Sequence, residues 1–441
     1  MRIAILGTGY VGLTTGICLS EIGHYVTCID INEQKIKHLQ NGISPIYEPG
    51  LDELLLKNTA AGRLFFTTSF SEGLESAEII IIAVGTPQRD DGAADLSYLE
   101  GAAINIASHI QQNTVVVIKS TVPVGTNEYI KDLIQKNCKK EVAFEIVSNP
   151  EFLRQGSAIK DTMKADRIVI GSENKQAAEI VKEMYRPLNV PFLMTNLRSA
   201  EMIKYASNAF LASKISYINE ISNLCEAVGA NVEDVAKGMG KDYRIGEAFL
   251  HAGIGYGGSC FPKDVKALLY TAQLNGVGFG FLKEIIAIND YQHGLLVEKA
   301  LKRFGELNGK KIALLGLSFK PETDDMREAP SIKISRSLIK LGAEVIAYDP
   351  VAIENAKNIL GKTINYASSA QEAVINADAV LIVTEWNEFK QLDIASLTKK
   401  MKSPIIFDGR NCILESSLSE CETVEYYPIG KPAMIIKNVK S

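Results

Sequence analysis

The sequence predicts an α/β protein in which two doubly wound parallel sheets are joined by a central helical region with one long helix. The chain opens with a short apolar strand, a glycine-rich loop and an apolar helix, and its last third repeats this order in outline. Between these parts, no proline or glycine interrupts residues 199–228. Strands that alternate with helices form parallel sheets covered on both faces, so each end is expected to be a Rossmann-like domain.

The length of 441 residues is too great for one hydrophobic core. We therefore expect a Rossmann-like domain at 1–196, a helical domain at 197–305 and a second Rossmann-like domain at 306–441. The composition, 46% hydrophobic and 22% charged, is ordinary for a soluble globular protein.

Composition and charge argue against several classes of function. The net charge of −5 and the lack of a basic tract argue against a nucleic-acid binder. The 7 cysteines form no Cys-x-x-Cys pair and the 5 histidines no metal-type pair, which argues against a disulfide framework and a metal site. The longest apolar runs are only strand-length, so we expect a cytoplasmic protein without a membrane segment.

A glycine-rich loop follows the first predicted strand. Its sequence is Gly7-Thr8-Gly9-Tyr10-Val11-Gly12, and an apolar helical stretch comes next. In a dinucleotide-binding loop of this kind, Gly7 allows the tight turn, Gly9 lets a pyrophosphate meet the backbone, and Gly12 lets the helix pack closely on the strand. The loop therefore predicts a dinucleotide cofactor.

An acidic residue, Asp30, ends the second predicted strand. A carboxylate there accepts hydrogen bonds from the adenosine ribose hydroxyls and repels a 2′-phosphate, which favours NAD over NADP. Lys35 lies close behind and keeps NADP open, and the structural alternative for Asp30 is a helix N-cap.

Polar residues follow three further predicted strands, at 79–84, 115–118 and 145–147. Ligands of parallel α/β sheets bind at the carboxyl ends of the strands, so these residues are candidate site residues. These residues are Thr86, Thr121 and Glu151. Each is equally plausible as a turn or cap residue, but all three are expected at the same edge of the sheet, which favours a site.

One long helix is expected from Ser199, which can cap it, to about Gly229. Its many small residues indicate a buried strut or a subunit contact. Lys204 and Asn208 are four residues apart and share one face of this helix. They form either a solvated stripe or a pair that points into a site.

A second glycine-rich loop, residues 255–264, precedes helical sequence that runs from Pro262 to about Phe304. Cys260 is expected just before the helix N-terminus, where the partial positive charge and Lys263 favour a thiolate. Three glycines in the loop would let the backbone approach a ligand. The alternative is a buried, inert cysteine in a tight turn.

The last third matches the first strand by strand, but its glycine loop is missing, since Leu317-Ser318-Phe319-Lys320 follows Gly316. We infer that this domain does not bind a dinucleotide in the standard way. Its strand ends carry Lys320, Arg327 and Arg410 instead. Basic groups there suit a phosphate-bearing ligand, although a surface salt bridge is the alternative for each.

Taken together, these motifs resemble those of the UDP-glucose/GDP-mannose 6-dehydrogenase family over nearly the whole chain. Five segments carry the resemblance: Gly7 to Gly12, Val84-Gly85-Thr86-Pro87, Ser120-Thr121-Val122-Pro123, Asn149-Pro150-Glu151-Phe152-Leu153-Arg154, and Gly257-Gly258-Ser259-Cys260-Phe261-Pro262-Lys263-Asp264.

The resemblance implies a four-electron oxidation of a nucleotide sugar, with UDP-glucose the expected substrate and UDP-glucuronate the product. The C6 alcohol becomes a carboxylate and two NAD+ are reduced per turnover. Cys260 is the implied nucleophile, which forms a thiohemiacetal and then a thioester. Lys204 and Asn208 would face the developing oxyanion, Asp264 would act through a water held by Thr121, and Glu151 would aid hydrolysis.

The resemblance also implies two sets of binding residues and a homodimer formed by the central helical region. Arg244 would reach the sugar nucleotide from a partner subunit. The other substrate-binding residues are Glu151, Phe152, Leu153, Lys204, Asn208, Phe249, Gly253, Gly257, Lys320 and Arg410. The cofactor-binding residues are Gly7, Gly9, Tyr10, Val11, Gly12, Asp30, Lys35, Thr86, Thr121, Gln155, Lys263 and Arg327.

One position departs from the family pattern, because Gln155 stands where a second acid is usual. Its amide cannot ionise, so any role that needs a charge there is in doubt. Three alternatives remain: the same chemistry on UDP-N-acetylglucosamine or GDP-mannose, a two-electron alcohol dehydrogenase with Lys204 as base, and a non-catalytic nucleotide-binding regulator.

Overall fold

The computed structural model describes residues 1–138 and 142–438. The chain divides into two compact units. The first comprises Met1–Ser207 and Tyr270–Asn275, and the second comprises Asn208–Leu269 and the chain from Gly276 onward. The three-part division at 196/197 and 305/306 stays a prediction.

The first unit contains, among its described residues, an 8-stranded sheet of order β3-β2-β1-β4-β5-β6-β7-β8. Its strands are parallel except for the antiparallel β6–β7 pair. The strands are β1 (Arg2–Leu6), β2 (Tyr25–Ile29), β3 (Leu64–Thr67), β4 (Ile79–Ile82), β5 (Thr114–Ile118), β6 (Phe144–Ser148), β7 (Ile168–Gly171) and β8 (Phe192–Thr195).

Helices cover both faces of this sheet. Alternate residues of β1 enter two different hydrophobic clusters, Ile3 and Ile5 the first, and Ala4 and Leu6 the second. Because both faces are buried, the strands read as continuous apolar runs. The helices are α1 (Tyr10–Glu21), α2 (Glu33–Gln40), α3 (Leu51–Ala60), α4 (Phe70–Leu74), α5 (Ser97–His109), α6 (Thr126–Asn137), α7 (Ala158–Met163) and α8 (Lys175–Tyr185), with a 3₁₀ turn at Arg186–Leu188.

The predicted long helix is α9 (Leu197–Val228). It begins two residues earlier than expected, and Ser199 does not cap it. The Asn196 side-chain oxygen accepts from the Ser199 backbone N–H at 2.8 Å and takes that role. The helical sequence after Cys260 divides into three helices, and the further helices of this region are α10 (Val232–Gly240), α11 (Phe261–Leu274), α12 (Gly280–Gln292) and α13 (Leu295–Phe304).

The second unit contains a 7-stranded sheet among its described residues, of order β11-β10-β9-β12-β13-β14-β15. Its first six strands follow the same order as β3-β2-β1-β4-β5-β6, which confirms the internal repeat. The last pair is antiparallel. The strands are β9 (Lys311–Leu315), β10 (Glu344–Tyr348), β11 (Asn365–Tyr366), β12 (Ala379–Ile382), β13 (Ile405–Asp408), β14 (Thr423–Tyr427) and β15 (Met434–Lys437).

Two hydrophobic clusters flank this sheet as well. The predicted fold class is therefore confirmed. Among residues 1–138 and 142–438, every helix is too short or too polar to cross a bilayer. The remaining helices are α14 (Pro330–Lys340), α15 (Ile353–Leu360), α16 (Ala370–Ala373), α17 (Asn387–Lys390), α18 (Ile394–Thr398) and α19 (Glu415–Leu418).

Candidate functional site

The glycine loop of the first unit has the geometry that a bound pyrophosphate requires. Gly7 has a φ of +96°, and a Cβ there would lie 2.8 Å from the Ala83 carbonyl oxygen. A Cβ on Gly12 would lie 1.9 Å from the Gly7 carbonyl oxygen, so α1 can pack on this turn only with glycine. Around Gly9 the space is open to 4 Å. The loop therefore fits a dinucleotide. Tyr10 and Val11 are half-buried behind it.

Asp30 lies at the end of β2, and its carboxylate is held by four donors. Its Oδ2 accepts from the Thr8 backbone N–H (2.9 Å), the Thr8 hydroxyl (2.6 Å) and the Lys35 ammonium (3.2 Å), and Oδ1 accepts from the Asn32 N–H. Although burial opposes ionisation, the Thr8 and Asn32 hydrogen bonds and the Lys35 charge hold its pKa below the usual value. Asn32, rather than Asp30, caps α2.

The strand-end residues Thr86 and Thr121 meet at the carboxyl edge of this sheet. The Thr86 hydroxyl donates to the Thr121 carbonyl oxygen at 2.8 Å and joins the ends of the neighbouring strands β4 and β5. Gln155, half-buried, precedes Gly156, whose N–H donates to the Tyr10 hydroxyl at 2.9 Å. The segment after β6 is thus tied to the start of α1.

Glu151 and Lys204 form a buried ion pair in the first unit. The Lys204 Nζ lies 3.1 Å from Glu151 Oε1, with side chains 4% and 5% exposed. The other carboxylate oxygen accepts from the Leu153 N–H at 2.6 Å. Burial opposes ionisation, but the Lys204 charge and the Leu153 hydrogen bond lower the pKa of Glu151. Lys204 therefore does not belong to a solvated stripe.

Phe152 packs between cations. Its ring centroid lies 4.3 Å from the Arg167 guanidinium carbon and 5.3 Å from Lys204 Nζ. Cations over an aromatic face are attracted by the ring quadrupole. This contact holds the Phe152 ring beside the Glu151–Lys204 pair.

Cys260 lies in the second unit, immediately before α11. Its carbonyl oxygen accepts from the Asp264 N–H at 2.9 Å, so it occupies the N-cap position as predicted. It is half-buried, unlike Cys18, Cys28 and Cys225, which are buried. The helix start and partial exposure are conditions under which a thiol is reactive.

One turn into α11, Asp264 accepts two strong hydrogen bonds. Asn208 Nδ2 donates to its Oδ2 at 2.6 Å, and Lys263 Nζ donates to its Oδ1 at 2.5 Å. Asp264 and Asn208 are both buried, which again excludes a solvated stripe on α9. The helix therefore presents a carboxylate whose orientation is fixed from two sides.

The glycines of this second loop serve contacts within the unit. A Cβ on Gly257 would lie 2.2 Å from the Glu328 carbonyl oxygen, and one on Gly258 would lie 2.7 Å from the Phe319 ring. The Gly258 N–H donates to the Arg327 carbonyl oxygen at 2.9 Å. Both glycines thus allow a close approach of the chain to itself, and the expected approach to a ligand stays a prediction.

Arg327 makes a bidentate ion pair with Asp325, at 2.9 Å from Nε and 2.6 Å from Nη2. The Asp325 hydrogen bonds raise the pKa of Arg327 against the opposing effect of burial. Arg327 is exposed, so the ion pair is the salt bridge weighed above as the alternative for this residue.

Arg410, after β13, is tied to the Cys260 loop. Its guanidinium donates to the carbonyl oxygens of Val383 (2.9 Å) and Gly255 (3.1 Å), and Nε lies 3.3 Å from Glu385. A Cβ on Gly253 would lie 3.2 Å from Arg410 Nη1. The guanidinium therefore contacts the backbone of residues 253–255.

The other predicted substrate residues of this unit have diverse surroundings. Lys320 Nζ lies 5.7 Å from the Phe319 ring centroid. Phe249 has a positive φ of 66°, uncommon for a large residue, and its ring lies 6.1 Å from that of Phe261. Arg244 is exposed and pairs with Asp242 at 2.5 Å.

Four buried polar side chains that the sequence reasoning missed hold the backbone of residues 253–256. The Asn219 side-chain oxygen accepts from the Gly253 N–H at 2.8 Å, and the Gln292 side-chain amide donates to the Gly253 carbonyl oxygen at 2.7 Å. Asn289 bonds both backbone groups of Tyr256, and His293 Nε2 lies 2.9 Å from the Tyr256 carbonyl oxygen. The available signal was the close spacing of Asn289 and Gln292 near the end of α12 and of His293, its C-cap residue.

Asp349, at the position that matches Asp30, is fully buried, with 0% of the residue exposed. Its Oδ2 accepts from the N–H groups of Leu317 (2.7 Å) and Ser318 (3.1 Å) and from Trp386 Nε1 (3.2 Å). This agrees with the inference that the second Rossmann-like domain does not bind a dinucleotide in the standard way.

Three family models match the chain. They describe the NAD binding domain (residues 1–189), the central domain (198–291) and the UDP binding domain (313–415) of the UDP-glucose/GDP-mannose dehydrogenase family. The chain is 56% identical to a UDP-glucose 6-dehydrogenase, YwqF, of Bacillus subtilis, with 99% of each chain covered.

Two solved structures have the same fold over nearly the whole chain. A UDP-glucose dehydrogenase of Pyrobaculum islandicum has a TM-score of 0.91 at 36% identity, with 98% of each chain covered. A UDP-D-ManNAc dehydrogenase of Pyrococcus horikoshii has a TM-score of 0.86 at 32% identity, with 98% of this chain and 99% of that chain covered.

Proposed function

Because the chain belongs to the UDP-glucose/GDP-mannose dehydrogenase family, we propose that it oxidises UDP-glucose to UDP-glucuronate through intermediates on Cys260. NAD is its cofactor. The observation that carries the proposal is the Cys260 loop, where a half-buried thiol at a helix N-terminus is followed one turn later by a buried carboxylate. The substrate is inferred from the curated relatives.

The cofactor would supply the hydride acceptor for both oxidations, which would give two NADH per sugar. The glycine loop would hold its pyrophosphate, and Asp30 would hold its adenosine ribose. We assign the remaining contacts to Tyr10, Val11, Lys35, Thr86, Thr121, Gln155, Lys263 and Arg327.

The first oxidation converts the C6 alcohol into an aldehyde. Asp264 accepts the alcohol proton through a water that Thr121 helps to hold. The carboxylate suits this role because Asn208 and Lys263 fix its orientation and leave it no freedom to turn away. Lys204 and Asn208 donate to the oxygen on which negative charge develops.

Cys260 then carries the carbon through the second oxidation. Its thiolate adds to the aldehyde to give a thiohemiacetal, and loss of a hydride gives a thioester. A thiolate both attacks an aldehyde well and leaves well as an acyl carrier, which a hydroxyl does not. The helix N-terminus favours the anionic sulfur.

Hydrolysis completes the reaction. A water oxygen attacks the acyl carbon, the carbon–sulfur bond breaks, and the thiolate leaves. Glu151, whose lowered pKa keeps it ionised, takes the water proton.

Lys320 and Arg410 supply positive charge for the diphosphate. Phe152, Leu153, Phe249, Gly253 and Gly257 line the remainder of the nucleotide-sugar site in this proposal.

A homodimer is the proposed assembly. α9 carries four large apolar side chains, each more than half exposed and spaced seven, seven and four residues apart: Phe210, Tyr217, Leu224 and Val228. Such a stripe is the seam of a helix–helix contact, and a second copy of α9 supplies a matching one. Arg244 would then act on the partner's substrate.

The experiment is NADH formation with NAD+ and a panel of nucleotide sugars. We expect kcat/KM to be highest for UDP-glucose. A maximum for UDP-N-acetylmannosamine, which the similarity to the Pyrococcus enzyme makes the second candidate, would keep the chemistry and change the substrate. Cys260→Ser is expected to abolish acid formation; acid at the normal rate would make Cys260 structural and favour a two-electron dehydrogenase.

A further inference from the structure

Glu48 is a buried carboxylate of the first unit that the proposed mechanism does not use. It lies in the loop before α3, and the residue is 6% exposed. Its Oε2 accepts from the Gly156 N–H and its Oε1 from the Ala158 N–H, each at 2.7 Å. Burying a carboxylate is costly, and these two hydrogen bonds offset part of the cost. Both oxygens are thus committed to backbone donors 108 and 110 residues away in the sequence.

The start of α3 fixes the backbone from which Glu48 projects. Leu51, the first residue of α3, is fully buried in the hydrophobic core, and its N–H donates to the Glu48 carbonyl oxygen at 3.1 Å. Gly50 precedes the helix with a φ of +79°, a conformation that favours glycine. The Glu48 backbone is therefore anchored to a buried helix start.

The two donors belong to the turn 154–158, between β6 and α7. Gly156 has a φ of +76° in this turn. A second carboxylate, Asp161, holds the turn from the other side, because its Oδ2 accepts from the Arg154 N–H at 2.9 Å and its Oδ1 pairs with the Arg154 guanidinium at 2.7 Å. The backbone is therefore held on both sides of Gln155.

The Gly156 N–H also links this turn to the glycine loop. It donates to the Tyr10 hydroxyl at 2.9 Å as well as to Glu48. Tyr10 is the first residue of α1, at the helix N-terminus where a pyrophosphate is expected. Because one donor serves both acceptors, displacing Gly156 from Glu48 also alters its contact with Tyr10.

We propose that Glu48 is a positioning residue for the cofactor, which sets the turn 154–158 so that Tyr10 and Gln155 meet the bound dinucleotide. The proposal rests on the cofactor contacts assigned to those two residues under the proposed function, and it is independent of the chemistry at Cys260. In Glu48→Gln, the side chain offers one acceptor oxygen and one NH₂ group, so only one of the two N–H groups keeps its partner. One end of the turn is then no longer fixed.

The test measures NADH binding to Glu48→Gln by fluorescence, without sugar and without turnover. We expect the Kd to rise about tenfold and the KM for NAD+ to rise with it, while the KM for UDP-glucose stays within about twofold of the wild-type value. Glu48→Asp keeps both acceptor oxygens on a shorter side chain and should recover part of the affinity. A purely structural residue would not separate the two substrates in this way.

Leu55→Ala is the matched control for stability. Leu55 is a fully buried residue of α3 that lies outside the turn, so its truncation should lower the urea midpoint and leave the NADH Kd unchanged. Tyr10→Phe removes the other acceptor of the Gly156 N–H. Combined with Glu48→Gln, it should raise the Kd by less than the product of the two single effects, because both act through one donor.

An unchanged NADH Kd in Glu48→Gln, an equal rise in Leu55→Ala, or fully independent effects of Glu48→Gln and Tyr10→Phe would overturn the proposal. If Glu48→Gln does not fold, Glu48→Asp takes its place, with an expected rise of about threefold. Gln155→Ala tests the contact on which the proposal rests. A raised Kd there with an unchanged Kd in Glu48→Gln would overturn only the role of Glu48, and an unchanged Kd in both would also overturn the contact assigned to Gln155.

Discussion

The exchange Asp264→Asn removes one negative charge and leaves the size of the side chain almost unchanged. The residue is only 1% exposed. In the wild type, Oδ2 accepts from Asn208 Nδ2 at 2.6 Å and Oδ1 accepts from Lys263 Nζ at 2.5 Å. An amide has a single acceptor oxygen, so it cannot receive both bonds in the wild-type arrangement. If the Asn208 amide rotates by a half-turn, its oxygen can accept from the new NH₂ group, and both contacts survive as neutral or singly charged hydrogen bonds.

The expected cost in stability is therefore moderate. A hydrogen bond to a charged group contributes roughly 1.5–3 kcal/mol and a neutral one about 1 kcal/mol, so the free energy of unfolding should fall by about 2 kcal/mol. The loss of a general base is larger, and kcat should fall by roughly 10²–10⁴-fold. Urea unfolding and NADH absorbance measure the two quantities separately.

The double exchange Asn208→Asp with Asp264→Asn is the matched control. It restores one carboxylate and one amide to the buried pair, so most of the lost stability should return. The carboxylate now projects from α9 rather than α11, and kcat should stay low. A single variant with nearly normal kcat, or a double variant that regains kcat, would refute the assignment of Asp264 as the base.

Three further predictions follow from single side chains. Gly257→Ala should lower the free energy of unfolding by about 3 kcal/mol, because its Cβ would lie 2.2 Å from the Glu328 carbonyl oxygen; Gly278→Ala, with open space around it, should change it by less than about 1 kcal/mol in the same urea titration. Asp30→Ala should raise the KM for NAD+ by roughly 10–100-fold with a much smaller change in kcat, which steady-state kinetics at varied NAD+ will show. Phe210→Glu should shift the protein from dimer to monomer in sedimentation velocity, and an unchanged dimer would move the interface away from α9.

The fold was predictable because its signals are local. The spacing of Gly7, Gly9 and Gly12 after a buried strand depends on covalent geometry and helix packing within a dozen residues, and the structure confirms it. The predicted start of α9 was wrong by two residues. Asn196 and Ser199 are both good N-cap residues, and only the hydrogen bond from the Ser199 N–H to the Asn196 side chain distinguishes them.

The candidate site was predictable only in part, since several of its contacts join distant parts of the sequence. The partners that require glycine at Gly257 and Gly258 are Glu328 and Phe319, which no local pattern connects to them. A salt bridge was an expected alternative for Arg327, but only the structure identifies Asp325 as its partner. A residue's chemical type is visible in a sequence, but its partners depend on tertiary packing.

The most direct test of the central claim, that Cys260 carries the sugar between two oxidations, is the number of NADH molecules formed per UDP-glucose consumed. Absorbance of NADH and chromatographic loss of UDP-glucose, followed in one reaction until the limiting sugar is exhausted, give this ratio. The account predicts two NADH per sugar, with UDP-glucuronate as the product. A ratio of one, with an aldehyde as the product, would contradict it.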